Sequence, residues 1–259
     1  MAHPPDPVLP SFMIRFSSGR AAPALRLPPD GDLESAISAL NLKKPSPVIM
    51  LSGGAGAMTQ EEVEATREII AEGIALFAQE HHITIVDGGT VAGIMQMIGD
   101  ARSVRQYTFP LVGVAPEGRV NYPGHEHPNH DAQLHDGHSH FVLIQANEWG
   151  DESVALVGLV RAIAAGQKPM MGILINGGAI AEKDVYLATT QGEDSIPMVI
   201  LEGTGRKADE IATASRTGET DNRIIKAIVS GGKIEVLSLK QGIPAMRAHL
   251  ARYFLNMGD

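Results

Sequence analysis

From residue 47 onward, short aliphatic and β-branched runs that end in glycine alternate with longer stretches whose apolar positions recur every three or four residues. The runs have the character of strands and the stretches the period of helices. Their alternation predicts βαβ units around a mostly parallel sheet. Strands are expected at 48–51, 83–86, 111–114, 141–144, 171–175, 198–201 and 234–237, with 12–16 adding an edge strand. A helix opens after Thr59, which forms a capping-box pattern with Glu62 three residues on, and buries Val63, Ile70, Ile74 and Phe77. A second carries Ile94, Met97, Ile98 and Ala101 on one face. Further helices fit 151–165, 180–190, 206–214, 221–230 and 244–256. In the last, Met246, Leu250 and Phe254 mark a face suited to the core or to a dimer seam.

Two regions break the alternation. Four prolines among the first ten residues favour extended backbone, so 1–11 is expected to be a loose arm and 12–259 a single domain. Residues 115–140, rich in Pro, Gly, His and Asn, exceed the usual length of a connection, as functional or mobile loops do.

Charge narrows the partners. A formal net charge of -9 leaves no basic excess for a nucleic-acid backbone or an anionic membrane surface, so any anionic ligand must be held locally. The absence of cysteine excludes disulfides, thiolate metal sites and cysteine nucleophiles. No stretch approaches the roughly 20 apolar residues of a membrane span, and the N-terminus lacks the pattern of a signal peptide. A cytoplasmic chain is expected. With no other partner domain in sight, a homo-oligomer is the expected assembly.

In an open parallel sheet, ligands sit beyond the carboxyl ends of the strands, where four glycine-rich turns fall here: 52–56, 87–93, 176–178 and 202–205. Glycine lets backbone amides approach a phosphate, and a following helix N-terminus adds positive potential. The candidate ligand-binding positions are therefore Gly53, Gly54, Ala55, Gly88, Gly89, Thr90, Asn176, Gly177, Gly178, Glu202, Gly203, Thr204, Gly205 and Arg206. Arg206 offers a guanidinium fork to phosphate oxygens or pairs at the surface with Asp209. Thr90 can donate to a phosphate or cap the next helix, and Asp87 can accept from a ribose hydroxyl or hold backbone amides. Glu202 can read a ribose or a base edge, and Asn176 can bond a ligand or its own loop. Trp149 either stacks on a base or packs under a loop. Neither G-x-G-x-x-G opening the first helix nor G-x-x-x-x-G-K-[ST] is present, which disfavours an ordinary dinucleotide fold and a phosphate-loop NTPase.

Six of the ten histidines, His125, His127, His130, His135, His138 and His140, crowd into one stretch with Glu126, Asp131 and Asp136. Imidazoles at this density suit zinc, or they titrate together near neutral pH. No metal ligand and no catalytic residue is assigned.

The loop Gly88-Gly89-Thr90-Val91-Ala92-Gly93-Ile94-Met95 resembles the G-G-x-x-x-G-x-M loop of the SLOG superfamily. The branch found in the N-terminal homology region of TRPM channels is similar at five motifs in the same order: Leu51-Ser52-Gly53-Gly54-Ala55, the strand running into Asp87-Gly88-Gly89-Thr90, Val112-Gly113-Val114-Ala115-Pro116, His138-Ser139-His140-Phe141, and Gly203-Thr204-Gly205-Arg206-Lys207-Ala208-Asp209. The resemblance covers roughly residues 45–215 and implies a stand-alone, prokaryotic-type relative. It further implies a Rossmann-like α/β fold with helices on both faces that senses a nucleotide derivative such as ADP-ribose or cyclic ADP-ribose. The same likeness makes the histidines of His138-Ser139-His140 part of a strand start rather than a metal site. LOG-type phosphoribohydrolases, a more distant branch, carry P-G-G-x-G-T-x-x-E. The matching stretch, Asn176 to Asp184, alters the proline, a glycine, the threonine and the glutamate, which puts Asp184 where the glutamate would be and Glu182 nearby. Nucleotide N-glycoside hydrolysis is accordingly the alternative function.

Overall fold

Strands that are apolar on both sides must be covered on both faces, and this chain supplies two layers of helix. The computed structural model describes residues 9–256. Its nine-stranded sheet contains β1 (Ser11–Arg15), β2 (Ala21–Leu27), β3 (Val48–Gly53), β4 (Thr84–Asp87), β5 (Leu111–Pro116), β8 (His140–Ile144), β9 (Met170–Ile175), β10 (Met198–Glu202) and β11 (Ile234–Ser238). Their order is β1-β2-β8-β5-β4-β3-β9-β10-β11, with β6 (Val120–Asn121) and β7 (Ala132–Gln133) paired separately. Only β1 runs antiparallel to its neighbour. The fold is Rossmann-like. From β3 the chain steps outward through β4 and β5 to β8, then returns to β9 on the other side of β3. The carboxyl ends of β3 and β9 therefore flank the switch point at which such sheets open a crevice.

Alternation along β3 divides the core. Val48 and Met50 pack with α1 (Leu33–Ala39), α5 (Ser153–Ala164), α6 (Ala179–Thr189), α7 (Arg206–Thr217) and α8 (Arg223–Gly231), while Ile49 and Leu51 face the opposite layer. That layer holds α4 (Gly93–Val104), α9 (Gly242–Asn256) and a continuous helix in which α2 (Gln60–Glu68) and α3 (Leu76–His81) are joined by a π-helical stretch at Ile69–Ala75. The Thr59–Glu62 capping box opens α2 as the sequence predicts. Met246, Leu250 and Phe254 are buried in this core, so the face considered for a dimer seam serves packing instead.

Most of the expected arm over 1–11 lies outside the described residues, but Ser11 already belongs to β1. β2 and α1 are additions to the elements expected. β2 reads AAPALRL, whose alanines and proline carry little strand signal, and its pairing to β8 begins at Ala24, just after Pro23. α1 has seven residues, too few for periodicity to show, and is fixed by the Asp32 side chain accepting from the amides of Glu34 and Ser35. The 115–140 segment is a cover rather than an open loop: Val120, Tyr122 and Leu134 close a third apolar cluster over Ile14, Ala22, Ala24 and Phe141.

Where β3 leaves the sheet, Gly53 has φ +141°, and a Cβ there would lie 1.9 Å from the Ile175 carbonyl oxygen. Neither backbone can yield without parting β3 from β9. Gly53→Ala is expected to destabilise the protein by roughly 2–5 kcal/mol, read from urea denaturation.

Candidate functional site

One side chain draws three of the four glycine turns together. Asn176 follows β9 with a left-handed backbone (φ +57°), which asparagine tolerates better than most residues, and is fully buried. Its Nδ2 donates to the carbonyl oxygens of Gly56 at 3.0 Å and Thr204 at 2.5 Å, and its Oδ1 accepts from the Gly177 amide at 2.9 Å. The Asn176 amide donates to Thr204 Oγ1 at 2.8 Å, whose hydroxyl donates in turn to the Leu201 carbonyl.

Several amides expected to face a phosphate are engaged within the protein. The Gly54 amide donates to the Ile175 carbonyl, that of Gly203 to Asp209 Oδ1, and that of Gly89 to Asp87 Oδ1. At the start of α7, the amides of Lys207 and Ala208 donate to the carbonyls of Gly177 and Asn176. Buried amides need such partners, and neighbouring turns supply them. Asp87, weighed as a ribose ligand, is wholly buried and also meets His138 Nε2 at 2.7 Å.

The opening helix turn of α6 is different. Its N-cap, Gly178, has no side chain to offer, and the amides of Ala179, Ile180 and Ala181 have no acceptor among the described residues. All four residues line a cavity of about 390 Å³, together with Gly53, Gly54, Gly88, Thr90 and Arg206. That volume is within the range of small-molecule sites. Arg206 adopts φ +53°, and its guanidinium nitrogens lie 3.1 and 2.8 Å from where a Cβ would stand on Gly56 and Gly178. It forms no hydrogen bond or ion pair among the described residues, since Asp209 holds the Gly203 amide instead. Thr90 does not cap α4, whose N-cap is Ala92.

Of the fourteen expected positions, Gly53, Gly54, Gly88, Thr90, Gly178 and Arg206 line the cavity. Ala55, Gly89, Asn176, Gly177, Glu202, Gly203, Thr204 and Gly205 do not. Asn176 and Thr204 are used by the turns themselves, Glu202 pairs with Arg216 at 2.5 Å, and Gly89 packs where a Cβ would come within 2.8 Å of Gly113 Cα.

Two carboxylates on the cavity wall escaped assignment as ligand contacts: Glu152, and Asp184, considered only for hydrolysis. The Gly150 amide donates to Glu152 Oε2, and Ser52 Oγ donates to Asp184 Oδ2, both at 2.7 Å. Asp184 Oδ1 is buried without a hydrogen-bond partner among the described residues. Burial raises the pKa of Asp184, opposed by the nearby Ser153 and Ser52 hydroxyls and Lys183. Burial also lifts Glu152 to about 7, with a contribution from Asp184, against backbone amides and Lys183. No local spacing sets Glu152 apart in the sequence from any acid that opens a helix. Glu182, the other acid near the turn, faces Asn222 and Lys207 and is not on the cavity wall.

A family model described as "SLOG in TRPM, prokaryote" matches residues 46–246. The chain belongs to that family. The SLOG chain is 26% identical over 260 residues to a transient receptor potential cation channel subfamily M member-like 2 of Nematostella vectensis, covering 86% of this chain and 16% of the relative. It is 26% identical over 206 residues to subfamily M member 2 of Rattus norvegicus and 27% over 206 residues to that of Mus musculus, each covering 66% of this chain and 13% of the relative. The SLOG chain thus spans less than a fifth of the length of these relatives. Among its described residues, no helix is long and apolar enough to cross a membrane.

The histidine stretch of this SLOG domain supports the second turn. His138 holds Asp87, the His135 amide donates to the Gly89 carbonyl, and the Val91 amide to the Gln133 carbonyl. His125 stacks on Tyr122, and His130 bonds Asn121, whose Oδ1 also accepts from the His127 amide. Among the described residues, no three His, Asp or Glu side chains are grouped to hold a metal ion. Burial lowers the pKa of His130 and His135, and that of His140 to about 4, so these three take up protons later on acidification than free imidazoles. Trp149 lines the cavity and donates from its indole to Asp131.

The folded state holds the Glu152 proton more tightly than the unfolded chain. Its ionisation costs nothing below about pH 4.5, and the penalty grows until pH passes about 7. When complete it is on the order of 3 kcal/mol. Glu152→Gln is therefore expected to unfold at a higher temperature than the wild type at pH 8 and at the same temperature at pH 4. A difference independent of pH counts against a protonated Glu152.

Proposed function

We propose that the chain binds a phosphate-bearing nucleotide derivative, such as ADP-ribose or cyclic ADP-ribose, and acts as a sensor of it. The observation that carries this reading is the open first turn of α6 beside the Arg206 guanidinium: three amides and a guanidinium that have no partner among the described residues converge on one cavity. Helix dipole and guanidinium both favour an anion there, and a chain of net charge -9 needs such a local device. Gly88 and Thr90 add small polar groups to the same wall. The family and its channel relatives support a nucleotide-related domain, and the ADP-ribose class follows from the motif resemblance. A cytoplasmic setting, independence of nucleic acid and membrane, and self-association belong to this reading as expectations.

Hydrolysis is the second reading, favoured by Asp184, which stands at the position of the LOG-type glutamate and lines the cavity. Incubation with adenine nucleotides, ADP-ribose and cyclic ADP-ribose, followed by chromatography, separates the two: a sensor returns intact ligand, a hydrolase releases base or ribose phosphate. Arg206→Ala is expected to weaken pyrophosphate binding about tenfold to a hundredfold by calorimetry, with no loss of thermal stability. Unchanged affinity removes the phosphate assignment. Ligand entry is further expected to alter the fluorescence of Trp149, the only tryptophan.

A further inference from the structure

Asparagine followed by glycine is among the least durable pairs in a protein chain, because with no Cβ on the second residue its amide nitrogen can swing onto the asparagine carboxamide. Seven asparagines occur in this sequence, and of these only Asn176 precedes a glycine. It is also the residue whose side chain joins the turns after β3, β9 and β10. Two features of the fold oppose the reaction. The Gly177 N–H points at Oδ1 at 2.9 Å, which holds the nitrogen at the rim of the carboxamide, whereas attack on Cγ comes over its face. Nδ2 is tied to the carbonyls of Gly56 and Thr204, so the fully buried carboxamide cannot turn to present that face.

We infer that Asn176 is a site of spontaneous modification, held closed while the turns stay interlocked, and that its conversion to aspartate or isoaspartate unlocks them. When the turns part, the Gly177 nitrogen bonds to Asn176 Cγ, the Cγ–Nδ2 bond breaks, and ammonia leaves with the proton that the Gly177 nitrogen gives up. Water then opens the resulting succinimide, and no other reactant is needed. Attack of water at Cγ yields aspartate, which sets a carboxylate oxygen in place of Nδ2 against the carbonyl oxygens of Gly56 and Thr204. Those carbonyls lose their donors, and a buried charge gains none. Attack at the main-chain carbonyl yields isoaspartate, which routes the backbone through Cβ and lengthens it by one atom just ahead of Gly178, the N-cap of α6. Either product disturbs the turns that fix where the open α6 amides stand.

The wild-type chain tests this without substitution. It is held in mildly alkaline buffer with and without denaturing urea, and aspartate plus isoaspartate at each asparagine are followed by peptide mapping. In urea, Asn176 is expected to react ahead of the other asparagines. In the folded protein it is expected to react about tenfold or more slowly than in urea, the factor being set by how rarely the turns open. Equal rates at Asn176 in the two conditions overturn the protection, and another asparagine outrunning it in urea overturns the site. Chain modified at Asn176 in urea, separated by its added negative charge, is then returned to buffer beside unmodified chain taken through the same cycle. It is expected to refold poorly or to unfold at a lower urea concentration. A midpoint equal to that of the unmodified chain overturns the unlocking. Asn176→Asp carries the aspartate change alone and should lower the midpoint in the same way, and an unchanged midpoint there also counts against it.

Discussion

The site depends on a single buried amide. Asn176 bonds turns from three strand ends at once, because its two donors reach the carbonyls of Gly56 and Thr204 while its oxygen takes the Gly177 amide. Aspartate would lose the donors and glycine would lose all three bonds. With those carbonyls satisfied, the turns after β3, β9 and β10 pack edge to edge, and the start of α7 docks on the turn before α6. The first turn of α6 keeps its amides open toward the cavity, while those of Gly54, Gly203, Lys207 and Ala208 in the neighbouring turns are taken up within the protein.

That arrangement gives the cavity two unlike ends. Amides and the Arg206 guanidinium form one, and Glu152 with Asp184 the other, all within about 390 Å³. In so small a space the two signs of charge act on a ligand together. Burial raises the pKa of both acids, that of Glu152 to about 7, so the wall is less negative than its composition suggests. A net acidic chain can therefore present a cavity that admits an anion.

Much of the fold was legible because long, regular signals dominate it. The seven parallel strands expected from residue 48 onward all appear, and so do the helices between them, since their apolar periods are those of elements buried on one or both faces. β2 and α1 were not legible, the first built from alanines and a proline, the second too short to show a period. The site was legible only in outline. Glycines at strand ends mark where turns lie, but which amides remain open depends on partners distant in sequence: Ile175 for Gly54, Asp209 for Gly203, Asp87 and His138 for Gly89. Glu152 is unremarkable in its local sequence and becomes distinctive only when the tertiary fold buries it beside Asp184.

On the sensor reading proposed above, the interlocked turns also limit how this domain can report an arrival. A mould whose backbone is already bonded to itself has no slack to take up, so an incoming molecule finds its seat ready and leaves the main chain there much as it was. Any message must travel through parts still at liberty to shift. The exposed Arg206 arm is one, and the indole of Trp149 is another, tethered through Asp131 to the histidine-rich cover. That tether makes the cover, rather than the glycine turns, the natural first listener.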